Sequence, residues 1–182
     1  MNLKPQDIMV ALKLCTYPGS RPPLSQVALG LAMSASEVHA ALKRLQNARL
    51  IHGPELKEKP NVSALEEFLV HGLKYAFPVE RGEMTRGVLT SYAAEPLRGE
   101  VALGNDPPPV WPFTGGADKG IALRPLYKTA PIAALRDPAL YELLALVDAV
   151  RDGRMRERKL AERLLTQRLH KSDAQSQSRT AH

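Results

Sequence analysis

Residues 24–51, LSQVALGLAMSASEVHAALKRLQNARLI, constrain the fold more than any other stretch, because their apolar spacing fits two short helices joined by a tight turn. Val27, Ala28 and Leu31 mark the buried side of the first helix, and Val38, Leu42 and Leu45 recur at three- and four-residue spacing on the second. Between them, Ser34-Ala-Ser-Glu37 reads as a capping box: the Ser34 hydroxyl accepts from the backbone N–H three residues on while the Glu37 carboxylate reaches back. The second helix therefore has a defined start and is expected from about Ala35 to Ala48. A preceding helix is expected from about Pro5 to Tyr17, with Ile8, Leu12 and Cys15 on one face and Pro18-Gly19 ending it. After the pair, Leu50-Ile51 fits a short strand, Gly53-Pro54 a turn and Leu56-Lys57 a cramped return strand.

Beyond this unit the pattern changes twice. Asn61 to Phe77 reads as a helix with Asn61 as N-cap and Leu65, Phe68, Leu69, Leu73 and Ala76 on one face, while the adjacent Glu66 and Glu67 read as a solvated pair. Residues 78–135 hold 8 of the 15 prolines and 7 of the 12 glycines, which rules out long helix there. Short strands fit Gly87–Tyr92 and Gly120–Leu126, separated by a proline-rich stretch in which Trp111 packs onto its own core rather than anchoring a partner. Asp137 then caps a helix from Pro138 to Arg151 that is apolar on most of its circumference, and Asp152-Gly153 breaks it. A charged helix follows to about Lys171, with Leu160, Leu164 and Leu165 along a stripe, and the polar end from Ser172 is expected to be disordered. The expected fold class is mainly α: an N-terminal winged helix-turn-helix, an irregular Pro/Gly-rich middle with a few short strands, and a C-terminal helical pair. The corresponding divisions are 1–60, 61–135, 136–171 for dimerisation or partner binding, and 172–182.

Composition narrows the function classes. The +6 net charge is uneven: residues 1–60 carry +4, 61–149 carry −3 and 150–182 carry +5. A basic first unit suits a polyanionic partner, since Lys and Arg that neutralise phosphates supply most sequence-independent affinity for DNA. No apolar run approaches the roughly 18 residues needed to span a bilayer, and MNLKPQDIM has neither a charged leader nor an apolar signal core, so a cytoplasmic protein without membrane contact is expected. Cys15 is the sole cysteine and reads as a small buried side chain. His39, His52, His71, His170 and His182 show no metal-ligand spacing, and Gly115–Gly120 lacks the Gly-Lys-Ser/Thr ending of a phosphate loop. Neither an enzyme, a metal nor a cofactor is implied.

The run AMSASEVHAALKRLQNARLI, with its Ser34-x-Ser36 start, Val38 and the Leu42-Lys43-Arg44-Leu45 run, resembles the winged-helix DNA-binding domains of MarR-type bacterial regulators over residues 5–52. The resemblance implies that the second helix enters the major groove with Ser36, Glu37, His39, Ala40 and Lys43. Lys43, Arg44 and Lys57 then hold phosphates, Ser36, Glu37, His39 and Ala40 face base edges, Ser34 caps the helix, and a small loop carries Lys57 and Lys59. Position 49 departs from the family, which usually has Gly where this chain has Arg49. The helix end must either place Arg49 in a left-handed conformation or finish differently.

Two functional expectations follow. One is a sequence-specific DNA-binding transcriptional regulator, a repressor acting on double-stranded DNA as a homodimer paired through its C-terminal helices. The alternative is an antitoxin-like protein whose middle and C-terminal regions grip a protein partner. For the C-terminal helices, an intramolecular hairpin remains an open alternative to the dimer interface.

Overall fold

The computed structural model describes residues 2–54, 58–100 and 106–180, and the side chains of 175–180 lie outside that description. Helix α1 (Pro5–Cys15) starts with Pro at its first turn, and the Asp7 carboxylate accepts from the Lys4 N–H at 2.8 Å. Every residue from Asp7 to Cys15 is buried, so a helix that reads as one-faced is enclosed all round. Helix α3 (Ala35–Asn47) covers one side of it, and helices α7 (Pro138–Asp152) and α8 (Met155–Thr180) pack against it as well.

Helix α2 (Leu24–Leu31) ends at Ala32, which sits in the left-handed region at φ 51° and turns the chain toward Ser34. The far end of α3 takes the first of the two expected solutions: Arg49 is left-handed, φ 59°, and Leu50 N–H closes the end by donating to Leu45 O at 3.0 Å. Ile51 then meets Pro60 in a single antiparallel bridge, backed by His52 N–H to Lys59 O at 2.8 Å. Proline at 54 and 60 removes two ladder donors, so among the described residues no pair of wing strands forms. Leu56 and Lys57, expected on the return strand, lie outside the described residues.

A continuous helical path follows: α4 (Val62–Glu67), a π-helical turn over Phe68–Gly72, and α5 (Leu73–Ala76). Asn61 caps it as expected, its Oδ1 accepting from Ala64 N–H at 3.4 Å. The middle of the chain builds a mixed sheet from β1 (Arg81–Leu89), β2 (Pro109–Pro112) and β3 (Asp118–Leu123). β1 pairs antiparallel with both others, and β2 runs parallel to β3. Backbones approach so closely that a Cβ on Gly87 would run into the Trp111 carbonyl, and one on Gly116 into that of Gly87. The expectation of a strand over Gly87–Tyr92 holds only for its first residues, because Ser91–Ala93 is a 3₁₀ turn. The proline-rich stretch expected to separate strands itself supplies β2, since proline's fixed φ is compatible with extended backbone.

The expected mainly α class is therefore corrected to α+β, with one three-stranded mixed sheet, and the expected N-terminal winged helix-turn-helix is not shown among the described residues. Helix α6 (Ala130–Arg136) leads into α7, whose cap is the expected one: Asp137 Oδ1 accepts from Ala139 and Leu140 N–H at 3.0 and 3.1 Å. α7 packs along α8, which buries Ala161, Leu165 and Leu169 and continues past Lys171 to Thr180. The sheet is fastened to α7 by Asp148, which is buried and accepts from Trp111 Nε1 at 2.6 Å, Thr90 Oγ1 at 2.8 Å and Arg151 Nη1 at 2.8 Å. Burial pushes its carboxyl up against the pull of these donors. Trp111 is 1% exposed, a core residue as expected. One hydrophobic cluster runs from Ile8 in α1 to Leu169 in α8 and so crosses the divisions expected at 60/61 and 135/136.

Candidate nucleic-acid interface

Helix α3 carries most of the residues singled out in the sequence, and it splits them cleanly. Its inner face, Val38, Ala41, Leu42 and Leu45, is buried against α1 and α2. On its outer face Ser36, His39, Lys43 and Asn47 are exposed and Ala40 is half-buried, at the spacing that lines up side chains along one side of a helix. The apolar half is fixed by the core, so the polar half necessarily faces outward. Asn47 was not singled out in the sequence, although its position four residues past Lys43 puts it on the same face.

The start of α3 is over-determined. Ser34 Oγ accepts from Glu37 N–H at 3.2 Å, and Glu37 Oε2 accepts from Ser34 N–H and Oγ at 2.8 Å each, which completes the expected capping box. Ser34 and Ser36 hydroxyls are 3.0 Å apart. The other Glu37 oxygen, Oε1, accepts from Tyr127 Oη at 2.6 Å. That phenol, the Ser34 donors and the nearby Lys128 ammonium hold the Glu37 carboxyl down at about 2, against desolvation. Both carboxylate oxygens are occupied, so Glu37 is a structural anchor and not a free reader of base edges.

Arg44 requires a correction. The resemblance implies a phosphate contact, but its guanidinium donates to both oxygens of Asp7, at 2.7 and 2.6 Å, and the side chains are 8% and 0% exposed. It sits on the edge of α3 that faces α1, where a bidentate pair with a buried carboxylate removes it from any phosphate. Lys59 is half-buried and lines a cavity of about 270 Å³ beside Cys15, Tyr17 and His52, away from the outer face of α3. Lys57 lies outside the described residues. Of the expected cations, Lys43 alone stands exposed on the outer face of α3 among the described residues.

Elsewhere the chemistry is structural. Burial raises the Cys15 thiol to about 12, so it stays a neutral packing group. Glu66, read as solvated, accepts from Thr166 Oγ1 at 2.8 Å and lies 2.7 Å from His170 Nε2, which ties α4 to α8. Among the described residues no group of His, Cys, Asp or Glu is placed to hold a metal, and no helix is long and apolar enough to cross a membrane. Comparison with family models, with curated proteins and with solved structures finds no match.

Proposed function

We propose that this chain is a cytoplasmic transcriptional regulator that binds double-stranded DNA sequence-selectively through the outer face of α3. The carrying observation is that face itself: Ser36, His39, Lys43 and Asn47 are exposed in a row on a helix whose opposite side is locked into the core. An α-helix fits the major groove, where Asn and His side chains donate and accept at base edges and Lys reaches guanine or phosphate. The positive balance of residues 1–60 favours the encounter. The start of α3 is held by Ser34, Glu37 and Tyr127, so the reading side chains are presented on a rigid element.

As a repressor, the protein acts as a dimer that sets two such helices about one DNA turn apart on a palindrome. α7 does not supply the pairing surface, because its residues from Leu143 to Val150 are all buried within their own chain. Within the alternative, a partner-gripping surface of the middle and C-terminal regions, Trp111 and Leu123 are not available, since both are buried in the chain's own core. Electrophoretic mobility shift with duplex from upstream of the chain's own gene tests the reading. Lys43→Ala is expected to weaken binding to every duplex, and His39→Ala or Asn47→Ala to change which sequence is preferred. Unaltered affinity and preference in all three variants would remove α3 from the interface.

A further inference from the structure

The segment between β3 and α7 brings one cation to the start of α3 and another to the end of α2. Tyr127 is tied to Glu37 in the first turn of α3 at 2.6 Å, and the next residue, Lys128, is exposed with its ammonium 5.8 Å from the Tyr127 ring centroid. That ammonium is close enough to Glu37 to help hold its carboxyl down. At the other end of α6, Arg136 is also exposed, and its Nη1 donates to Leu29 O in the last turn of α2 at 3.0 Å. One cation thus stands beside the start of α3, and another is held by a hydrogen bond at the end of α2, on either side of the turn at residues 32–34. Neither makes an ion pair among the described residues.

A duplex seated on α3 carries a phosphate rim on each side of the groove that the helix enters. The Glu37 carboxylate at the start of the helix would repel that rim; the Tyr127 phenol occupies one of its oxygens, and the Lys128 ammonium supplies opposite charge beside it. We infer that Lys128 and Arg136 form a second phosphate-holding element, which grips the sugar-phosphate backbone of the same duplex beside α3. This inference rests on the DNA-binding reading of α3. It assigns to residues 124–136 the backbone grip that the resemblance placed on Arg44 and Lys57, and the fit is one of charge: two exposed cations beside the helix pair and a polyanionic backbone.

The test is the salt dependence of binding, read by fluorescence anisotropy of a labelled duplex from upstream of the chain's own gene, with an unrelated duplex of equal length alongside. Lys128→Ala and Arg136→Ala should each shallow the slope of log affinity against log salt by about 0.9, and the double variant by about twice that, with the preference ratio between the duplexes unchanged. Arg136→Gln removes the charge and keeps a polar side chain at this exposed position, so the same slope loss is expected even if Arg136→Ala fails to fold. Wild-type slopes in folded Lys128→Ala and Arg136→Gln, with Lys43→Ala still lowering the slope, would overturn this element and leave the α3 reading intact. Absence of wild-type binding to either duplex at low salt would overturn both.

Discussion

At the scale of single residues, Lys43 and Arg44 are neighbours in sequence with opposite fates, and the difference is measurable. Arg44→Ala strands the Asp7 carboxylate in the core and should cost about 3–5 kcal/mol in a urea melt, whereas Lys43→Ala should stay within about 0.5 kcal/mol of wild type. Equal stabilities for the two variants would contradict the buried pair. Glu37 offers a second test. Its carboxyl falls from 4.5 to about 2 on folding, so its stabilising contribution is complete above the ordinary value and is lost as pH drops toward the folded one. The melting-temperature gap between wild type and Glu37→Gln should therefore be widest above about pH 5 and close toward about pH 2, and a gap independent of pH would refute the assignment. These residues also mark what a sequence can reveal. The Ser34–Glu37 cap was legible because its partners sit within one helical turn. The partners of Arg44 and Glu37, Asp7 and Tyr127, lie 37 and 90 residues away, and no spacing pattern encodes such a meeting.

At the scale of elements, local periodicity revealed where helices start but not how many sides they bury. α7 announced its enclosure by an apolar circumference, while Asp7 and Lys13 disguised that of α1 by appearing as surface charges. Both are spent inside the fold, Asp7 on Arg44 and Lys13 on Asp137 at 2.6 Å. The sheet was harder to read, because β1 begins with the exposed run Arg81–Met84, which shows no apolar alternation, and its pairing with β2 and β3 is non-local. Its attachment to α7 is nonetheless specific. Trp111→Phe keeps most of the apolar bulk and deletes one donor to the buried Asp148 carboxylate, so it should destabilise by about 1–3 kcal/mol. A loss below about 0.5 kcal/mol in thermal melts followed by far-ultraviolet circular dichroism would show that the hydrogen bond does not fasten the sheet.

At the scale of the whole molecule, the continuous cluster from Ile8 to Leu169 makes α1 the shared core of the N-terminal helices and the C-terminal hairpin. Unfolding should accordingly be one cooperative transition, with Trp111 fluorescence, reporting on the sheet and α7, and helical circular dichroism giving coincident midpoints. Two separated midpoints would mean that the N-terminal helices fold apart from the rest. The same continuity lets residues 124–136 brace the N-terminal helices from outside their own segment, α3 through Tyr127 and the end of α2 through Arg136. The role proposed for this braced helix is to read DNA. The most direct measurement is the affinity of the purified chain for duplex from upstream of its own gene and for unrelated duplex of equal length, each at two salt concentrations, with Lys43→Ala beside wild type. In that role, preferential, salt-sensitive binding to the first duplex is expected, weakened on both duplexes by Lys43→Ala. Equal affinity for the two duplexes, or binding that Lys43→Ala leaves untouched, would contradict it.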